Sequence, residues 1–129
     1  MIAAVETADG VVLVDAVEDV LLGPGDALPP VDSPPVELPR VLATAASGST
    51  IVAVVDRRPP LAVSNDAGAT WREAGGGLPA GFAIAVAQDD PDRMLFAGRS
   101  RLYLSTDGGT FWRSLAPELP DIVGVAWLD

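Results

Sequence analysis

The side chains of this sequence that could do chemistry are carboxylates and arginines. There are 18 acidic and eight basic residues, neither histidine nor cysteine, and a net charge of −10. Lysine is absent, so every basic residue is an arginine. This composition excludes a Ser-His-Asp triad, disulfides and thiolate metal sites. The negative charge disfavours nucleic acid and anionic lipid as partners.

Three carboxylates cluster around one proline, as Asp89, Asp90 and Asp92 flanking Pro91. Two carboxylates act as general acid and base only when they are held apart in a dry cleft. Because Asp and Pro are common turn formers, a turn between two strands is the simpler interpretation. We therefore expect no catalytic residue here, and we expect no metal and no cofactor.

Two octets share the pattern Ser-x-Asp-x-Gly-x-x-Trp: SNDAGATW at 64–71 and STDGGTFW at 105–112. In a turn between strands, the Asp accepts backbone N–H groups, the Gly permits positive φ, and the Trp packs between neighbouring sheets. A calcium site is the alternative, but one Asp per turn supplies too few ligands. The predicted structural residues are Ser64, Asp66, Gly68, Trp71, Ser105, Asp107, Gly109 and Trp112.

Short apolar runs keep step with the octets, which lie 41 residues apart. Runs rich in Val, Ile, Ala and Leu that end at Gly, Pro or Asp predict strands. A repeat of about 40 residues with four strands has the size of a propeller blade. We label the strands a to d from the innermost to the outermost. The first repeat is predicted to have b 1–6, c 10–15 and d about 19–23, and the second a 41–47, b 50–56, c 60–65 and d 69–74. The third is predicted to have a 82–88, b 93–98, c 101–106 and d 110–115, and a final strand a follows at 122–129.

The predicted fold is a single all-β domain, 1–129, of three four-stranded propeller blades. It comprises a degenerate first blade without an inner strand at about 1–29, a proline-rich connection at 30–40, blade two at 41–79, blade three at 80–119, and a closing inner strand at 120–129. The proline-rich stretch is interpreted as a stiff connection. Covering a ligand face or presenting a docking strip are the alternatives.

The two octets resemble the Asp-box, or BNR repeat, of sialidase-like propellers, sortilin-type receptors and photosystem assembly factors. The resemblance covers the c–d hairpins of the second and third repeats, whereas the first repeat, LVDAVEDVLLG, lacks the motif. It implies a β-propeller with the octets on the outer rim, away from the ligand face. A sialidase would also need an arginine triad, a Tyr–Glu pair and an acid/base Asp. The one tyrosine, Tyr103, has no obvious Glu partner in the sequence.

Three blades do not close a ring, since propellers have about four to eight. We expect a homodimer that forms a six-bladed propeller, in which the C-terminal strand of each chain completes the first blade of the other. The predicted interface residues are Ile122, Val123, Val125 and Trp127. The alternatives are docking on a larger propeller, a higher ring, or a non-propeller β fold.

In a propeller the b–c and d–a loops share one face, which here gathers five arginines: Arg40, Arg57, Arg58, Arg99 and Arg101. Arginine binds carboxylate or phosphate in a bidentate fashion. Pairing with nearby acids such as Asp56, Asp90 and Asp92 is the alternative.

We expect a non-enzymatic binding or scaffold protein that recognises an anionic ligand or a protein partner on this face. The alternative is a minimal, sialidase-like glycan hydrolase with its site in the dimer channel. The N-terminus lacks a basic, apolar leader, and no stretch is long and apolar enough to span a membrane, so we expect a cytoplasmic protein with no membrane partner.

Overall fold

The computed structural model describes residues 1–30 and 33–128, which form three four-stranded antiparallel sheets. Blade 1 contains β1 (Ile2–Thr7), β2 (Gly10–Asp15), β3 (Val20–Pro24) and β12 (Ile122–Trp127). Blade 2 contains β4 (Val41–Ser47), β5 (Thr50–Val55), β6 (Leu61–Ser64) and β7 (Arg72–Ala74). Blade 3 contains β8 (Ala83–Val86), β9 (Met94–Ala97), β10 (Leu102–Ser105) and β11 (Arg113–Ser114). The prediction of an all-β chain with three propeller-like, four-stranded sheets is confirmed.

The outer strands of blades 2 and 3 are shorter than expected. They begin at Arg72 and Arg113, not at 69 and 110, because the last residues of each octet belong to the turn. In the part of the chain that the structure describes, no helix is long and apolar enough to cross a membrane.

The last strand, β12, supplies the inner strand of blade 1. It pairs antiparallel with β1, with Val5 opposite Val125. The sequence predicts that this strand of blade 1 comes from a second chain, whereas in the structure it comes from the same chain. Blade 1 packs directly on blade 3, so the short connection at 115–121 is enough to bring β12 to β1. Asp129, the predicted end of this strand, lies outside the described residues, as do residues 31–32 of the proline-rich connection.

The blades lie in the spatial order 2, 3, 1. Neighbouring side chains of β9 point to opposite faces, so Phe96 packs toward blade 2 and Leu95 packs toward blade 1. Both faces of blade 3 are therefore buried, which explains its continuous apolar strands. Within residues 1–30 and 33–128, no strand of blade 1 contacts a strand of blade 2. The three blades form an open arc.

The described parts of the connection between β3 and β4 cover the outer faces of both terminal blades. Val36 and Leu38 pack on a buried cluster of blade 2. At the other end, Gly25 packs so closely on blade 1 that a Cβ there would lie 2.8 Å from Cδ2 of Leu13. In between, the Thr44 hydroxyl donates a 2.7 Å hydrogen bond to the carbonyl of Pro34. The connection thus links the two ends of the arc.

Candidate functional site

The c–d turns of blades 2 and 3, here called the octet turns (64–71 and 105–112), are held by side chain to backbone hydrogen bonds. The Ser64 hydroxyl accepts from the N–H of Gly68 at 2.8 Å and donates to Asp66 at 2.8 Å. Asp66 in turn accepts the N–H of Thr70 at 2.8 Å. The glycines at the fifth position of the octets, Gly68 and Gly109, each have a φ of 93°, a backbone conformation that favours glycine.

The third blade repeats this geometry. Ser105 accepts the N–H of Gly109 at 2.9 Å, and Asp107 accepts the N–H of Phe111 at 3.0 Å. Because each carboxylate is committed to hydrogen bonds inside its own turn, the octet turns are structural.

These hydrogen bonds favour the ionised carboxylates. Bonds from the hydroxyl and then the N–H of Thr70 lower the pKa of Asp66 from 3.8 to about 2. The N–H of Phe111 and the hydroxyl of Ser105 lower the pKa of Asp107. A carboxyl group that is ionised at neutral pH has no proton to donate, so neither residue is suited to be a general acid. Among the described residues, no group of three or more acids could hold a metal ion.

The two octet tryptophans have different neighbours. Trp112 packs in the apolar cluster between blades 2 and 3, with its ring edge-on to Phe96 at 6.0 Å. Trp71 lies on the outer face of blade 2, against the same cluster that Val36 and Leu38 cover. The difference arises because blade 2 ends the arc and has no further blade beside it.

The arginine that follows each octet forms a hydrogen bond to the next blade, a contact that we did not predict from the sequence. Arg72 of blade 2 donates a 2.7 Å hydrogen bond to the carbonyl of Gly108, in the octet turn of blade 3. Arg113 of blade 3 donates at 2.9 Å to the carbonyl of Ala16, in the c–d turn of blade 1. The signal was present in the sequence, since Arg directly follows Trp in both octets.

Two of the five predicted anion-binding arginines are engaged within the chain. Arg99 pairs with Asp121 at 3.2 Å. Arg101 donates to the carbonyls of Leu115 and Ala116 at 3.1 and 3.3 Å. These contacts support the loops between blade 3 and β12.

The other three, Arg40, Arg57 and Arg58, form what we call the blade 2 arginine group. All three are exposed. The N–H of Asp56 donates to the carbonyl of Arg40 at 2.9 Å, which brings Arg40 beside the b–c loop. Among the described residues, no acid pairs with any of the three guanidinium groups.

The acidic cluster at Asp89, Asp90 and Asp92 forms a turn. Asp90 accepts the N–H of Asp92 at 3.1 Å, and Asp89 lies 3.4 Å from the guanidinium of Arg93. Tyr103 packs its ring 5.9 Å from Phe96 in the cluster between blades 2 and 3. Neither feature brings an acid and a nucleophile together.

A cavity of about 600 Å³, here called the axial cavity, lies where the three inner strands meet. Its walls come from the first residues of β4, β8 and β12, from Glu6, and from residues 28–29 and 33–36 of the connection. Each inner strand follows a d–a loop, so the cavity lies toward the same end of the arc as the blade 2 arginine group. The sequence analysis named Val123 here only as an interface residue.

No protein-family model and no curated protein matches this chain. Among solved structures, the chain is similar to the crystal structure of the Niastella koreensis GH74 enzyme, with 26% identity and a TM-score of 0.52. The match covers 92% of this chain but only 18% of the enzyme. The likeness supports the propeller-like blades and is distant.

Proposed function

We propose that this chain is a non-enzymatic binding or scaffold protein that recognises an anionic group through the blade 2 arginine group. The observation behind the proposal is the exposure of Arg40, Arg57 and Arg58 on adjoining loops, without an acidic partner among the described residues. In a chain of net charge −10, three unneutralised guanidinium groups form a local positive surface. Carboxylate and phosphate match the geometry of such groups.

The proposal is tested by titrating the protein with inorganic phosphate and with citrate, using calorimetry at low ionic strength. The variant R40S/R57S/R58S is expected to lose the binding that the unaltered chain shows. R99S is the matched control, because Arg99 is equally exposed on the same end of the arc but is paired with Asp121. Absence of binding, or equal binding by both variants, would remove the arginine surface from the proposal.

We also propose that two chains assemble into a six-bladed ring. The arc is open, and three blades are fewer than a closed propeller contains. Because β12 already completes blade 1 within its own chain, this ring needs no exchange of strands. Its contacts would involve the terminal blades together with the connection that covers their outer faces. Light scattering on a sizing column tests it. A mass near twice 13.2 kDa supports the ring, and a monomer at micromolar concentration eliminates it.

A glycan hydrolase is the second candidate, because one similar solved structure is that of a GH74 enzyme. Such enzymes use two carboxyl groups that flank the scissile bond. In the axial cavity, Glu6 is the one carboxylate among the described lining residues. A screen with fluorogenic aryl glycosides decides the point, since turnover that E6Q abolishes would favour the hydrolase.

A further inference from the structure

The axial cavity has the size of a small-molecule site, and most of the side chains that line it are apolar. At about 600 Å³ it falls within the usual range for ligand pockets. Leu42, Phe82 and Val123 line it, and these residues are 54%, 48% and 58% exposed. They occupy the same place in three blades, near the start of each inner strand. Exposed apolar groups that gather around one cavity indicate a binding surface.

One charged group enters this apolar site. Glu6 lies opposite Gly124 across the β1–β12 pair. A Cβ placed on Gly124 would meet Cδ1 of Leu28 at 3.0 Å and Oε1 of Glu6 at 3.6 Å, so the missing side chain admits both groups. Glu6 is the only ionisable residue among the described lining residues. Its side chain forms no hydrogen bond or ion pair within the described chain.

The other polar side chains of the wall are few. They are Ser33 and Thr44, and the hydroxyl of Thr44 already donates to the carbonyl of Pro34. The side chains of the wall therefore offer few partners for the hydroxyl groups of a sugar. An anion would meet the carboxylate of Glu6 at close range.

We infer that the axial cavity binds a small ligand with an apolar, ring-sized body and a single cationic group. The apolar body contacts Leu42, Phe82 and Val123, and the cation pairs with Glu6. The face of Phe82 adds a further attraction for a cation. This inference goes beyond the proposed anion-binding role and does not depend on it, because the blade 2 arginine group is not among the lining residues.

Three probes of one shape test the charge preference: phenethylammonium, phenethyl alcohol and hydrocinnamate, which are cationic, neutral and anionic. Each is titrated into the full chain at low ionic strength while amide chemical shifts are followed by NMR. We expect the cation to bind about threefold more tightly than the alcohol, and the anion to bind most weakly. The shifts should centre on residues 42–44, 82–84 and 123–125.

Exposed substitutions assign the effect to the cavity without threatening the fold. E6Q should bring the affinity of the cation close to that of the alcohol. F82A should weaken all three probes by about fivefold, because each loses its ring contact. F111A is the control, since Phe111 is 77% exposed and lies outside the cavity.

Tightest binding by hydrocinnamate, shifts centred on the arginine loops, or an equal effect of F82A and F111A would each overturn the inference. Binding of the three probes with equal affinity would also overturn it, because Glu6 would then play no part. Hydrocinnamate binding with shifts on the arginine loops would support the blade 2 arginine group and overturn only this inference, so the two proposals fail separately.

Discussion

The octet turns of blades 2 and 3 and the c–d turn of blade 1 reverse the chain by similar means but anchor the following strand differently. In blade 1, Asp15 accepts the N–H groups of Val17 and Glu18 at 3.0 and 3.1 Å, so a carboxylate closes this turn too. No Trp-Arg pair follows it. Instead β3 presents Leu21 and Leu22, which are 51% and 50% exposed.

The comparison separates two tasks within the octet. The Ser, Asp and Gly shape the turn, whereas the Trp and the following Arg attach the outer strand to a neighbour. Arg72 reaches blade 3 and Arg113 reaches blade 1. Blade 1 lies at the end of the arc. It accepts the hydrogen bond from Arg113 of blade 3 and, within the described chain, has no further blade beside it to which it could donate one.

The largest effect is expected from removing the tryptophans. Trp112→Ala should lower the free energy of unfolding by about 3 kcal/mol, because it leaves a void between two blades. Trp71→Ala should cost about half as much, since Trp71 covers an outer face. Urea unfolding of the two variants measures the difference. Equal losses would mean that the neighbouring blade adds nothing to the role of the octet.

Loss of the hydrogen bonds that Arg72 and Arg113 form between blades should have the next largest effect on the free energy of unfolding. Arg72→Ala and Arg113→Ala should each cost about 1–2 kcal/mol, because each removes a charge-assisted hydrogen bond to a backbone carbonyl. Arg57→Ala serves as the control, since Arg57 is an exposed arginine that takes no part in these hydrogen bonds between blades. If Arg72→Ala and Arg113→Ala unfold at the same urea concentration as the control, the contacts between blades do not depend on these arginines.

Acid should weaken the octet turns. Asp66 has a pKa of about 2 in the folded chain and 3.8 ordinarily, so its stabilising effect is full above 3.8 and is lost as the pH falls toward about 2. Asp107 acts in the same direction. Asp66→Asn should therefore flatten the dependence of the unfolding midpoint on pH in this window. A slope that is unchanged in D66N would show that other groups cause it.

The smallest effect is expected on β3. Leu21→Thr and Leu22→Thr should change the free energy of unfolding by no more than about 0.5 kcal/mol, because both side chains are half exposed. Thermal unfolding followed by circular dichroism is sufficient to measure this. A loss as large as that of Trp112→Ala would show that β3 is anchored as firmly as the other outer strands.

Much of the fold could be predicted from spacing. The strands a to c of blades 2 and 3 lie within a few residues of their expected positions, because apolar runs and turn residues define them locally. The site was less accessible to sequence reasoning. Arg99 and Arg101 were grouped with Arg57 on topology alone, but contacts with Asp121 and with backbone carbonyls distinguish them. The axial cavity was not predicted, since nothing in the sequence distinguishes Leu42, Phe82 and Val123 from the other apolar residues of the predicted inner strands.

The sequence by itself determined the octet turns, because Ser64, Asp66 and Gly68 contact one another within a few residues and need no other part of the chain. It also determined that the last strand would complete blade 1. Only the tertiary structure decided that this strand comes from the same chain, since the pairing of β12 with β1 has the same hydrogen bonds in either case. The tertiary structure likewise gave Trp71 and Trp112 different surroundings, because the same octet pattern meets a neighbouring blade in one case and the proline-rich connection in the other.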